Sequence, residues 1–134
     1  MRQNLNRNTH QKGVIGEEIA LKYLINREFV IIDRNFRKRW GEIDIIAKKD
    51  KIIHFIEVKS IIVKNNNLSS LSDRHRPEDN VSGWKIHKIR RMVETYFDEK
   101  IKDTSQNFAF HVICVYLNFE TRKARVKMIE NIIL

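Results

Sequence analysis

Between Gly13 and Arg27, the residues Ile15, Ile19, Ala20, Tyr23 and Leu24 recur at helical spacing, which predicts an amphipathic helix. The apolar positions then change period. Phe29 to Asp33, Glu42 to Ala47 and Ile52 to Ser60 read as short strands, and the charged turn Lys48-Lys49-Asp50-Lys51 joins the last two as an antiparallel hairpin. From Lys64 to Asn80 the pattern stops: an Asn triplet, serines, Pro77 and alternating charges predict a long mobile loop over 64–80. A second helix is expected from about Ser82 or Trp84 to Lys100, with Ile86, Ile89, Val93, Tyr96 and Phe97 on one stripe. Phe108 to Asn118 is apolar enough for a buried strand, and Ala124 to Ile129 makes a closing one. The expected architecture is α/β, a mixed central sheet of about five strands flanked by helices.

A chain of 134 residues with 42% apolar composition supports one well-cored domain, placed at 13–134. The preceding residues 1–12 carry Arg2, Arg7 and Lys12 without an acid, and are expected to be a flexible basic arm. Lys and Arg number 26 against 17 Asp and Glu, a formal charge of +9, which favours a polyanionic partner. No apolar run approaches the roughly 20 residues of a membrane helix, and the polar start does not read as a signal peptide. The single cysteine, Cys114, excludes an internal disulfide framework, and the five histidines lack metal-ligand spacing. A cytoplasmic location is the corresponding expectation.

The candidate chemistry lies in Gly41-Glu42-Ile43-Asp44 and Phe55-Ile56-Glu57-Val58-Lys59. Alternation along a strand places Glu57 and Lys59 on one face, and the hairpin can bring Asp44 beside Glu57. Two adjacent carboxylates repel unless a cation neutralises them, and Mg²⁺ takes hard oxygen ligands. Asp44, Glu57 and the Val58 carbonyl are such a set, with Lys59 placed to act on a metal-bound water. The competing reading is of ordinary strand-end charges, solvated or paired with neighbours. Against it, Glu57 and Lys59 finish an otherwise buried run, where charges need a reason.

Taken with Gly13-x-x-Gly16-Glu17-x-x-Ala20, Arg34-Asn35-Phe36-Arg37 and Val81-Ser82-x-x-Lys85, these segments make the chain resemble the YraN-like family of small bacterial proteins. That family falls in the PD-(D/E)xK nuclease superfamily and is similar to archaeal Holliday-junction resolvases. The resemblance implies a restriction-endonuclease-like fold, with Asp44, Glu57 and Lys59 in catalytic positions and Mg²⁺ or Mn²⁺ as cofactor. It also implies that Glu17 approaches the metal; the alternative for Glu17 is a helix-start carboxylate favoured by the dipole. Ser60-Ile61 departs from the polar-basic pair common after the family's Lys.

Arg34, Arg37, Lys38 and Arg39 precede the acidic motif, and Lys85 and Lys88 lie near the second helix start. These six are the candidate nucleic-acid contacts, since cations beside a metal site position a phosphate backbone. Trp40 can stack on a base or pack at the core edge, and the second is favoured. The leading expectation is a metal-dependent endonuclease acting on DNA rather than RNA, branched or damaged DNA included. By analogy with resolvases it would be a homodimer. The alternative is a non-catalytic nucleic-acid-binding module that keeps the fold.

Overall fold

The structure, a computed structural model, describes residues 2–64, 83–103 and 105–134. Helix α1 (Arg2–Asn26) begins well before the expected Gly13, so the backbone of the basic N-terminal segment is helical from Arg2. Sequence periodicity does not reveal this part because it carries no apolar stripe. The packed portion comes later: Ala20, Leu21 and Leu24 are buried, whereas Ile15, expected in the core, is exposed. The helix stops without a glycine. Glu28 takes a left-handed conformation (φ 70°), its N–H bonds the Ile25 carbonyl, and the Phe29 N–H bonds the Leu24 carbonyl. Phe29 and Leu24 then share one core cluster, the apolar contact that accompanies such a stop.

Strand β1 (Val30–Lys38) turns through Arg39 and Trp40 into β2 (Gly41–Lys49), and a second hairpin leads to β3 (Ile52–Ile62). Asp50 and Lys51, both at positive φ (54° and 64°), make the two-residue turn whose twist suits paired strands. Helix α2 (Gly83–Tyr96) continues into one π-type turn, Phe97–Ile101. Strands β4 (Phe108–Asn118) and β5 (Lys123–Ile129) complete the chain. The sheet order is β1-β2-β3-β4-β5. Only β3 and β4 pair in parallel; the other neighbours are antiparallel. This is the expected mixed sheet of five strands with two helices, consistent with a restriction-endonuclease-like fold. The 64–80 loop lies, from residue 65 onward, outside the described residues, as do Val81 and Ser82.

Alternate strand residues feed two clusters. Ile46, Phe55, Phe110, Val112, Cys114 and Tyr116 pack with Ile89, Met92, Val93 and Tyr96 of α2. Ile45, Ala47, Ile56, Ile113 and Val115 pack with Ala20, Leu21 and Leu24 of α1. Each helix therefore covers one face of the sheet. Trp40 packs against the α2-side cluster, as favoured for it. On β2 the alternation slips. Ile43 joins the α2 side although Ile45, two residues on, joins the α1 side. The residue between them is Asp44.

Candidate active site

The β2–β3 pairing runs from Lys49↔Ile52 to Ile45↔Ile56. One step further, the Val58 main-chain N–H donates to Asp44 Oδ2 at 2.7 Å, so a side chain takes over where the ladder ends. On the other side of β2, Asn35 lies between Arg34 and Phe36, the partners of Ile45 and Ile43. Asn35 has φ 51°, a left-handed conformation that asparagine tolerates better than most residues. The local break on both sides of Asp44 is what turns its carboxylate out of the regular pleat.

Helix α1 supplies the opposite wall. A Cβ at Gly16 would overlap the Ser60 hydroxyl and stand 2.9 Å from Ser60 Cβ. Glycine alone lets the helix lie this close to β3, and it carries Glu17 to the mouth of the site. Glu17 is deep within α1, not at its start, so a helix-dipole explanation for it does not hold. A cleft of about 1030 Å³ opens between these walls, bordered by Glu17, Asp44, Val58, Lys59, Arg37 and Glu42. Lys12, Asn35 and Ser60 also reach it. The pattern of the chain gave these three no role, because their contribution depends on where α1 and β1 cross the sheet edge.

Glu57 is placed differently. It is not among the residues bordering the cleft. Its Oε1 lies 3.1 Å from Lys85 Nζ and 3.4 Å from Lys59 Nζ. Its Oε2 is buried and has no hydrogen-bond partner among the described residues. Lys85, expected to face a phosphate, thus lies against the carboxylate; burial first, then the adjacent Lys59, hold it below the ordinary lysine value. Burial also pushes the Asp44 carboxyl up to about 6. The Val58 N–H opposes that rise, while the charges of Glu57, Glu42 and Glu17 add to it.

The basic run is largely occupied within the chain. Arg34 contacts Glu18 at 2.9 Å and Glu17 at 3.4 Å, Arg37 contacts Glu42 at 2.7 Å, and Lys38 contacts Glu99 at 2.7 Å. Arg39 and Lys88 meet elsewhere, at a second pocket beside Trp40. Among the described residues no three of His, Cys, Asp and Glu gather around one point as metal ligands. No described helix is long and apolar enough to cross a membrane.

The profile of the Uncharacterised protein family UPF0102 matches residues 16–115, the span from Gly16 through β3 and into β4. The chain belongs to the UPF0102 family. This is the YraN-like family to which the Gly16-Glu17, Asp44 and Glu57-Val58-Lys59 segments point. A UPF0102 protein of Campylobacter lari is 41% identical over 120 residues, covering 90% of this chain and 91% of the relative. UPF0102 proteins of Campylobacter fetus and Campylobacter hominis are each 36% identical, over 90% and 91% of this chain and 91% and 93% of their own lengths. The UPF0102 match takes in Glu17, Asp44, Glu57, Lys59 and Lys85.

Proposed function

We propose that this UPF0102 protein is a metal-dependent endonuclease acting on DNA phosphodiesters. The observation that carries the reading is the junction at Asp44. A half-buried carboxylate is anchored to the Val58 N–H where β2 and β3 part, with Glu57 and Lys59 on the next turn of the pleat. Such a cluster of carboxylates costs stability, and a cation relieves the cost. The donor set fits a hard divalent ion. Asp44 is raised by burial and by neighbouring carboxylates, and Glu57 has a buried oxygen without a partner among the described residues. Asp44, Glu57 and the Val58 carbonyl would hold Mg²⁺ or Mn²⁺, with Glu17 across the cleft.

A divalent ion held there supplies Lewis acidity toward a phosphoryl oxygen and lowers the pKa of a bound water. The chain's own groups do the rest. Asp44 keeps its orientation through the Val58 N–H. Lys59 borders the cleft and holds a positive charge where negative charge develops during attack on phosphorus. Glu17 and Arg34 form a charged rim that fixes α1 against β1.

A second reading, the non-catalytic DNA-binding module, is favoured by one observation: Glu57 is engaged by two lysines and stands back from the cleft. Cleavage assays with Mn²⁺ on linear, flapped and four-way DNA separate the two. The nuclease reading expects cutting by wild type and none by Asp44→Ala. Salt-sensitive binding without cutting by either protein establishes the module.

A further inference from the structure

A second concave site lies where the β1–β2 turn meets α2. Arg39, Trp40 and Gly41 form one wall and His87, Lys88 and Arg91 the other, around a pocket of about 680 Å³. None of its six residues is acidic, in contrast to the cleft at Asp44, where Glu17 and Glu42 stand among the cations. The cations of the basic run divide accordingly. Arg34, Arg37 and Lys38 have carboxylate partners, whereas Arg39, His87 and Arg91 have none among the described residues.

The pocket is built rather than incidental. A Cβ on Gly41 would stand 3.0 Å from Met92 Cγ, so the glycine seats the turn directly on α2. The Arg91 guanidinium lies 4.5 Å from the centre of the Trp40 ring. Trp40 itself is packed against the core. A stacked guanidinium is held in plane with its N–H edge free to donate, the form in which arginine recognises phosphate. The Trp40 Nε1–H is buried and has no acceptor among the described residues.

We propose that this pocket is a phosphate-binding site, separate from the Asp44 cleft, that takes a backbone phosphate of the bound nucleic acid. Arg39 and Arg91 are its principal donors, and Trp40 positions Arg91. The assignment of the phosphate to a nucleic acid rests on the function proposed above; the phosphate chemistry of the pocket does not. Arg37 and Arg34, already paired, contribute little, so the pocket sets where the strand crosses the protein relative to Asp44.

The test measures binding of a fluorescent four-way DNA and a linear duplex, without divalent metal, over a series of salt concentrations. The proteins are wild type, Arg39→Gln/Arg91→Gln, and the charge-matched control Arg122→Gln/Lys123→Gln at the exposed β4–β5 turn, each checked by thermal melting for an intact fold. The Arg39→Gln/Arg91→Gln variant is expected to bind about tenfold more weakly and to lower the salt slope by about 1, while the control changes little. Tight wild-type binding with the same affinity and slope in Arg39→Gln/Arg91→Gln overturns the site. Should wild type bind neither DNA, the nucleic-acid function fails, and titration with inorganic pyrophosphate decides the pocket. A Trp40 indole N–H resonance that shifts in wild type and not in Arg39→Gln/Arg91→Gln upholds phosphate binding; no shift in wild type overturns it.

Discussion

Gly16 of α1 and Ser60 of β3 touch so closely that a single methyl group on Gly16 would collide with the Ser60 side chain. The helix is therefore pinned to the sheet one residue before Glu17 and one residue after Lys59. Gly16→Ala is expected to destabilise the protein by about 1–3 kcal/mol through overpacking. Adding Ser60→Gly vacates the space for the methyl group, and the double variant regains wild-type stability or exceeds it, since alanine is the better helix residue. Urea denaturation of the four proteins in the cycle checks this; independent, additive losses would show that the two positions are not in contact.

Asp44 is held in its place at a cost to stability. Its pKa is raised to about 6, so the folded state holds a proton that the unfolded state releases nearer 3.8. The resulting stabilisation exists at low pH and is lost as pH rises from 3.8 through about 6. At neutral pH the ionised carboxylate is a net cost, on the order of 3 kcal/mol. Asp44→Asn keeps an oxygen for the Val58 N–H and removes that cost. Its melting temperature should exceed wild type at pH 7 and match it near pH 4, and Mn²⁺ should stabilise wild type alone. Thermal melts across that pH range, with and without Mn²⁺, decide the matter.

Lys85→Met should take away the nearer of the two counter-charges on Glu57. With Glu57 Oε1 left to the more distant Lys59, the metal-free protein loses stability, by about 1 kcal/mol for a half-buried pair. Divalent binding then strengthens severalfold, because one competing ammonium is gone. Calorimetric titration with Mn²⁺ measures this, and weaker binding in the variant would mean that Lys85 orients Glu57 for the ion rather than competing with it.

His54 and His111 form a chain with a single consistent proton arrangement. The Asn131 N–H donates to His111 Nδ1 at 3.0 Å, His111 Nε2 and His54 Nδ1 are 2.8 Å apart, and His54 Nε2 reaches the Lys49 carbonyl at 3.3 Å. With Nδ1 of His111 accepting, its Nε2–H donates to His54, which donates onward; an added proton on either inter-histidine or terminal acceptor breaks a bond. Burial lowers His111 to about 4 and lowers His54 as well. The unfolded state binds these protons first, so stability is present above pH 6.5 and falls as pH drops toward 4, by roughly 3 kcal/mol for His111. Denaturation midpoints at pH 7, 5 and 4 in the Asp44→Asn background show the slope without the opposing one from Asp44. His111→Leu should flatten it.

Much of this was legible in the chain. Phe108–Asn118 has the strand limits that its apolar run predicts, and Glu42-Ile43-Asp44 and Glu57-Val58-Lys59 fall on adjoining strands as their spacing requires. What the pattern missed depends on long-range register. Strand β1 extends to Lys38 because Arg34, Phe36, Arg37 and Lys38 pair with β2, although this stretch has no alternating apolar signature. The ion pairs that occupy Arg34 and Lys38 join residues far apart in the chain, to α1 and to the turn after α2. Lys85 beside Glu57 is of the same kind: charge and helix position suggested an exposed cation, and tertiary packing turned it inward. The His54–His111 contact arises only from the parallel offset of β3 and β4.

That parallel offset also orders the folding of the molecule. The β2–β3 hairpin closes through two residues, an event of about 1–10 μs, and brings Asp44 and Val58 together by local search alone. Pairing β3 with β4 must wait until the long crossover through α2 has been ordered, with a higher entropic barrier. The strands that carry Asp44 and Glu57 can thus meet before Lys85 is delivered to Glu57. A chain extended through Ile62 holds both strands that carry Asp44 and Glu57, whereas Lys85 and Arg91 lie on α2 and come later.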